Sequence, residues 1–432
     1  MLTVPQPPPT SYTCPGERHA ISRAVHQARL SSHYAKCREC VHREDVGLVS
    51  LTRFDEISPS QGDGLVFTAD GLRGRYLNDL TRRHAQQWAT ALAVRLWNDR
   101  PLTGRTSNET DPATPSQVRS GPVVAVGYDE RPASPDLALG VVTGLRQSGC
   151  QVIDVGQTTQ PAWQFAAEEL LTDAGVFVTG AGHEASWTGL DLLGPGRVPL
   201  DPRTRLSELV EETMRVPRPT RFAGAVQTFA AWPTYESQLA THFHALRPLR
   251  VQAIALSPLL ERLLVRLFEP LPCRLSLAAT APVAGPTLRW DVALERLQDA
   301  VRNDVGDVGV LLGEDGRQFA LCDETGELVA PSVWQPWLLR ALQSEQPGSQ
   351  IAATTSSLAD FVARLRRADV AGGVDPAGRF WHGGERPACD ALLTLATLLR
   401  TLSWSDAALS ARLAFGSQNP SGVPSRRDCS HY

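Results

Sequence analysis

Cys37-Arg38-Glu39-Cys40 sets two thiols three residues apart, the spacing with which a Cys-x-x-Cys knuckle grips one Zn²⁺ tetrahedrally. Cys14 offers a third sulfur, and His19, His26, His33 and His42 are candidates for the fourth ligand, His42 lying nearest the knuckle in sequence. An iron–sulfur site and plain reduced thiols are the alternatives for this cluster. A second kind of chemistry is suggested by Gly180-Ala181-Gly182, which follows the apolar run Gly175-Val176-Phe177-Val178. A glycine-rich loop at the end of a parallel strand can turn backbone N–H groups toward an anion. Arg73, Arg131 and Arg317 are the cations that would share a phosphate with it.

These residues need a scaffold, and the chain supplies alternating strand and helix patterns. Val123–Val126 reads as a buried strand, 127–135 as a polar turn and Leu137–Arg146 as a helix. A strand at Val152–Val155, a helix at Ala162–Leu171 and the strand at Gly175–Val178 follow. Alternation of this kind predicts a parallel sheet covered on both faces, with ligands at strand carboxyl ends. The cadence returns at Val251–Ala255 with Pro258–Phe268, and at Gln350–Ala353 with Ser357–Arg366.

The composition excludes several functions. The 432 residues exceed what a single core usually organises, and a net charge of −4 gives no electrostatic basis for binding nucleic acid or an anionic membrane. No run approaches the ~20 apolar residues of a membrane helix, and no secretory signal is visible, so a cytoplasmic location is expected. Cys150, Cys273, Cys322, Cys389 and Cys429 stand singly, as reduced thiols do.

Four stretches, in order and spacing, carry a resemblance: Phe67-Thr68-Ala69-Asp70-Gly71-Leu72-Arg73-Gly74; Gly127-Tyr128-Asp129-Glu130-Arg131-Pro132-Ala133-Ser134-Pro135; Val152 to Gly156 with Gln160-Pro161-Ala162; and Thr188-Gly189-Leu190-Asp191 with Gly194-Pro195-Gly196. They are similar to the Phe-Gly-Thr-Asp-Gly-Ile-Arg-Gly, Gly-Arg-Asp-Thr-Arg-Pro-Ser-Ser-Pro, Thr-Pro-Ala, Asn-Gly-Ile-Lys and Gly-Pro-Gly-Gly segments of the α-D-phosphohexomutases, the phosphoglucomutase and phosphomannomutase family. The resemblance implies three consecutive α/β/α domains with mainly parallel mixed sheets behind a small Cys/His-rich segment. The expected layout is a tail at 1–10, the Cys/His-rich segment and connector at 11–62, units at 63–216, 217–330 and a shortened 331–405, and a tail at 406–432. No counterpart of the family's fourth domain is expected, and Asn419-Pro420-Ser421-Gly422 reads as part of the tail rather than as its phosphate loop.

In the family a phosphoserine in Thr-Ala-Ser-His-Asn-Pro exchanges its phosphoryl group with a sugar phosphate, aided by Mg²⁺ on an Asp-Gly-Asp-Ala-Asp-Arg loop. The spacing from Thr179 to Gly189 equals the family's, so alignment without a gap puts Ala181 at the phosphoserine position, Gly182 at the histidine and His183 at the asparagine. A methyl group cannot be phosphorylated. The metal loop becomes Gly313-Glu314-Asp315-Gly316-Arg317-Gln318, in which only Asp315 keeps a ligand carboxylate and Arg317 brings positive charge. Magnesium is therefore not expected to bind. The sugar-reading loop should fall in 371–390, at Gly383-Gly384-Glu385 or Gly372-Gly373, without its Glu, Ser and His together. The expectation is a non-catalytic relative that binds a phosphosugar or a protein partner, with Asp70, Arg73, Asp129 and Arg131 holding the first unit together. The alternatives are an active mutase with displaced residues, among which His183 is the substitute nucleophile beside Arg73, Asp129 and Arg131, and a zinc-stabilised adaptor.

Overall fold

The computed structural model describes residues 11–31, 34, 36–37, 40–42, 45, 64–99, 121–203, 206–208, 210, 223–278, 290–304 and 306–418. At the N-terminus β1 (Ser11–Thr13) and β2 (Ala20–Ser22) form an antiparallel hairpin that leads into α1 (Arg23–Ser31). Tyr12, Leu30, Cys14, Cys37 and Cys40 are its buried side chains, together with His26.

The first unit is one sheet built from β3 (Val66–Phe67), β4 (Gly71–Arg75), β5 (Val123–Tyr128), β6 (Gln151–Gln157), β7 (Ala174–Val178), β8 (Trp187–Leu193) and β9 (Val226–Thr228), in the order β3-β4-β8-β7-β5-β6-β9. Strands β7, β5, β6 and β9 run parallel, whereas β3, β4 and β8 add antiparallel neighbours. The alternation read from the sequence therefore holds, and β9 carries this sheet beyond the expected boundary at 216. Helices α2 (Arg82–Asp99) and α3 (Ser134–Gln147) cover one face, and α4 (Gln160–Glu169) seats Trp163 in the other. Gly140 and Gly144 permit the α2–α3 crossing, because a Cβ there would lie 2.3 Å from the Arg82 carbonyl and 2.4 Å from the Gln86 carbonyl.

The second unit contains α5 (Ala231–Ala240), β10 (Arg250–Ala255), α6 (Pro258–Phe268), β11 (Arg274–Leu277), α7 (Trp290–Asn303), β12 (Val308–Leu312), β13 (Phe319–Cys322) and β14 (Leu328–Val329), with strand order β11-β10-β12-β13-β14. The third has α8 (Pro331–Glu345), β15 (Gln350–Ala352), α9 (Leu358–Leu365), β16 (Val370–Val374), β17 (Phe380–His382) and α10 (Ala391–Leu402) around a three-stranded sheet. One apolar cluster runs through both units, from Val251 and Leu312 to Trp334 and Leu395, and reaches Ala162 of α4.

The expected tail at 406–432 needs correction. A helix, α11 (Leu409–Gln418), stands there, with Leu409 and Leu413 one turn apart and buried in that shared cluster. The Asn419–Gly422 segment lies outside the described residues. No helix among the described residues is long and apolar enough to cross a membrane.

Candidate functional site

The residues singled out near the cleft sit in the loops at element ends or on the paired strands β4 and β8. Asp70 precedes β4, and Arg73 on β4 lies opposite Gly189 on β8, with Asp191 two residues further along. Asp129 and Arg131 open the turn from β5 to α3, Thr179 to Glu184 follow β7, and Gly313–Gln318 join β12 to β13. The arrangement brings the first-unit turns and the Asp315 loop together, but as an ion-pair network.

Arg317 is its centre. Its Nε donates to Asp315 Oδ2 at 2.7 Å, Nη1 to Asp70 Oδ2 at 2.8 Å and Nη2 to Asp191 Oδ2 at 3.0 Å. Arg73 Nη2 lies 2.6 Å from Asp191 Oδ1, and Arg379 Nη1 donates to Asp70 Oδ2 at 2.7 Å while its Nε holds Asp375 at 2.6 Å. All three units thus meet at Asp70. Burial pushes the Asp70 carboxyl up, but Arg379, Arg317 and Arg73 outweigh it and hold the group well below the usual carboxylate range. Asp315 ends lower than usual for the same reason, with Arg317 opposing burial. For Asp191 burial wins over Arg73 and Arg317, and its affinity for protons rises.

Arg131 is equally committed. Its Nε and Nη2 grip the two oxygens of Glu314 at 2.8 and 2.7 Å, and its Nη1 and Nη2 also donate to the carbonyls of Glu184, Trp187 and His183 at 2.7, 3.0 and 2.9 Å. Asp129 organises the turn, accepting from Arg131 N at 3.0 Å, from Ser134 Oγ and from Gly180 N at 3.1 Å. The loop at Gly180–Gly182 is consequently a poor anion cradle: Gly180 N is given to Asp129, and Ala181 N to Thr179 Oγ1 at 3.0 Å. Gly182 adopts φ +80° at the exposed tip. His183, the substitute nucleophile in the alternative reading, has its ring stacked on Trp187 at 4.9 Å, and burial lowers its affinity for protons.

The donor set does not fit a divalent cation. The loop positions corresponding to the family's carboxylates hold Gly313, Asp315 and Arg317, and the guanidinium already occupies the space among Asp70, Asp191 and Asp315. Beside it lies a cavity of about 10 Å³ lined by Asp70, Gln160, Gln164, Asp191, Arg317 and Trp381, among others, room for roughly one water. Gln160 Oε1 is buried near it with no hydrogen-bond partner among the described residues, and an ordered water would satisfy it.

The 371–390 stretch is resolved in the same direction. Gly372 and Gly373 lie within β16, so that placement is a strand and not a loop. Gly383-Gly384-Glu385 forms a turn whose continuation docks on the first unit, with Arg386 paired to Glu169 and Gln164 Nε2 donating to the Pro387 carbonyl at 3.1 Å.

The zinc set also needs correction. Among the described residues no group of three or more His, Cys, Asp and Glu side chains is placed to hold a metal ion. The Cys14 sulfur instead accepts from Arg29 Nη1 at 2.9 Å, and the His42 ring lies edge-on to Tyr12. Cys37 is pushed up to about 11, first by burial and then by its neighbours Cys14 and Cys40. His33 lies outside the described residues, and His19 is exposed.

Asp191, Asp375 and Arg379 belong to the network and were not singled out in the sequence. Asp191 stood in a matched segment without a role, and Arg379 carried only a local signal, its spacing of four from Asp375. Nothing local ties either to Asp70.

Comparison with known proteins agrees with this fold. Residues 112–215 match the family described as phosphoglucomutase/phosphomannomutase, alpha/beta/alpha domain I. A phosphomannomutase/phosphoglucomutase of Pseudomonas aeruginosa is 25% identical over 242 residues, 55% of this chain and 51% of that protein, so the match spans about half the relative's length. A phosphoglucomutase/phosphomannomutase of Thermococcus kodakarensis is 34% identical over 94 residues, 22% of this chain and 20% of the relative. Among solved structures, a phosphoglucomutase/phosphomannomutase family protein from Burkholderia thailandensis superposes with TM-score 0.64 at 20% identity, covering 80% of this chain and 78% of that one. A protein described as a phosphomannomutase from Thermus thermophilus gives 0.62 at 16%, covering 82% and 84%. With the first-unit sheet and the ordered motifs in agreement with that match, residues 112–215 form a domain I of the phosphoglucomutase/phosphomannomutase type, and the fold as a whole is similar to the solved structures named above.

Proposed function

We propose that this protein is a catalytically silent phosphohexomutase that acts by binding a protein partner and not by turning over a sugar phosphate. The observation that carries the reading is the pairing of Arg317 with Asp70, Asp191 and Asp315 at the loop where the family's reaction needs a cation for phosphoryl oxygens. Ala181 at the phosphoserine position removes the group carrier as well. Phosphosugar binding without turnover is the weaker form of the reading, because Arg73, Arg131 and Arg317 already serve carboxylates. The adjoining cavity is also far below the roughly 300 Å³ at which ligand pockets begin.

The test is incubation with glucose 1-phosphate or mannose 1-phosphate, the hexose bisphosphate activator and Mg²⁺, alongside calorimetric titration with the same sugar phosphates. No 6-phosphate product and no saturable heat are expected. Product formation that disappears in His183→Ala would establish the alternative, an active enzyme with a displaced nucleophile.

A further inference from the structure

We propose that the outer edge of β9 is a self-association surface, on which a second copy of this chain lays its own β9 antiparallel and continues the first-unit sheet across a twofold axis. β9 ends the strand order of that sheet, and no strand among the described residues pairs with its outer side. Register decides which groups are on offer. Ala225 O accepts from Val152 N and Phe229 N donates to Asp154 O, so residues 225 and 229 turn their backbone groups toward β6. Strand alternation then turns the N–H and C=O of Val226 and Thr228 outward. Residues 225–228 are all exposed.

An open edge is usually blunted by charge, brevity or a bulge. The other sheet edges follow that rule: β11 starts at the exposed Arg274, β14 follows the exposed Glu327, β15 meets its neighbour with a register shift at Gln350/Ile351, and β3 is two residues long. β9 has neither charge nor bulge, and from Ala223 to Ala230 there is no charged side chain and no proline. This selects the occupant. A twofold contact sets one patch against itself, so a charge on the axis would meet its like, whereas an uncharged edge accepts its own copy.

The edge is also self-complementary in shape. With Gln227 on the axis, Val226 faces the partner's Thr228 in a hydrogen-bonded pair at either end, and the two Gln227 side chains lie side by side. Val226 is level with Val152, on the side of the sheet that α3 covers. There α3 adds an apolar shoulder. Arg146 Nε donates to Gly224 O at 3.1 Å, which sets the α3 stripe of Leu139, Val142 and Arg146 beside β9. Leu139 is 51% exposed and Val226 38%. Antiparallel approach brings these apolar groups toward the axis and keeps the two Arg146 charges at opposite ends.

The test is the mass of the full chain by sedimentation equilibrium at roughly 1 and 100 µM. The mass should rise with concentration from 46.9 kDa toward twice that value. Gln227→Lys and Gln227→Glu put like charges on the axis, so each alone should weaken association roughly tenfold, and an equal mixture of the two should regain it. After mild oxidation Gln227→Cys should run as a covalent dimer, with the wild type as blank, and Val226→Cys should not, because position 226 faces 228 and not itself. Gln227 is exposed, so the variants should melt with the wild type. A wild type that stays monomeric at the higher concentration overturns the proposal. So does a dimer that Gln227→Lys leaves unchanged, since another surface then holds it. Slow hydrogen exchange at the Val226 and Thr228 amides of the monomer would show that the chain covers this edge itself, and overturns the proposal as well.

Discussion

Gly180 is fixed by what surrounds it. A Cβ at this position would fall 2.2 Å from the Trp187 carbonyl oxygen and 2.6 Å from Arg131 Nη1, and the carbonyl cannot retreat without moving β8. Gly180→Ala should therefore cost about 3 kcal/mol in urea unfolding. Gly182→Ala meets nothing within 4 Å and bears only the strain of φ +80°, about 1 kcal/mol. The next residue separates chemistry from geometry: Ala181→Ser restores a hydroxyl but supplies no cation for a phosphoryl group, so a phosphosugar assay should show no gain. A measurable rate for Ala181→Ser would mean that the Arg317 pairing is no barrier. The placing of Ala181 at the family's phosphoserine position came from an ungapped spacing in the sequence alone and needs no coordinates. The pairing of Arg131 with Glu314 was not legible, since the two lie 183 residues apart in the chain.

Elements tell a similar story about range. Strands β5, β6 and β7 were readable because their signal is local, a few apolar residues bounded by turn formers. β9 and α11 were missed: β9 is three exposed residues whose only reason to be a strand is the edge of β6, and α11 is held by a core assembled from distant segments. The start of α10 shows how such a core is secured. Asp390 caps the helix through Leu392 N at 2.8 Å and Leu393 N at 3.2 Å, and also accepts from the buried Tyr235 hydroxyl at 2.7 Å. Asp390→Ala should lose about 2–3 kcal/mol, because the cap goes and a buried hydroxyl is orphaned. Asp390→Asn keeps an oxygen for the cap and turns its amide N–H toward the Tyr235 oxygen, which can accept it, so it should lose much less. Equal losses in thermal unfolding would show that the carboxylate charge, and not the cap, is what matters.

For the molecule as a whole, burial keeps several histidines neutral, and this sets the direction of acid sensitivity. His382 is driven down to about 3 by burial, with His242 and Arg400 nearby adding to it, and its ring meets Thr394 Oγ1 at 3.3 Å. The unfolded chain binds this proton near 6.5 and the native one does not, so stability is fully present above about 6.5 and falls as pH drops toward 3. His382→Gln should flatten the slope of unfolding free energy against pH across that window while changing little at pH 8. An unchanged slope would remove His382 from the account.

The Arg317–Asp191 pair also bears on the chain's history. To regain a carboxylate at 317 alone would set a fourth acid against Asp70, Asp191 and Asp315, and to regain a lysine at 191 alone would set it against Arg317. Either single change passes through a folded state with like charges in a dry interior, so the pair locks itself in place like a ratchet. The charges of the family's pattern can return at these two positions only by two coordinated changes at once.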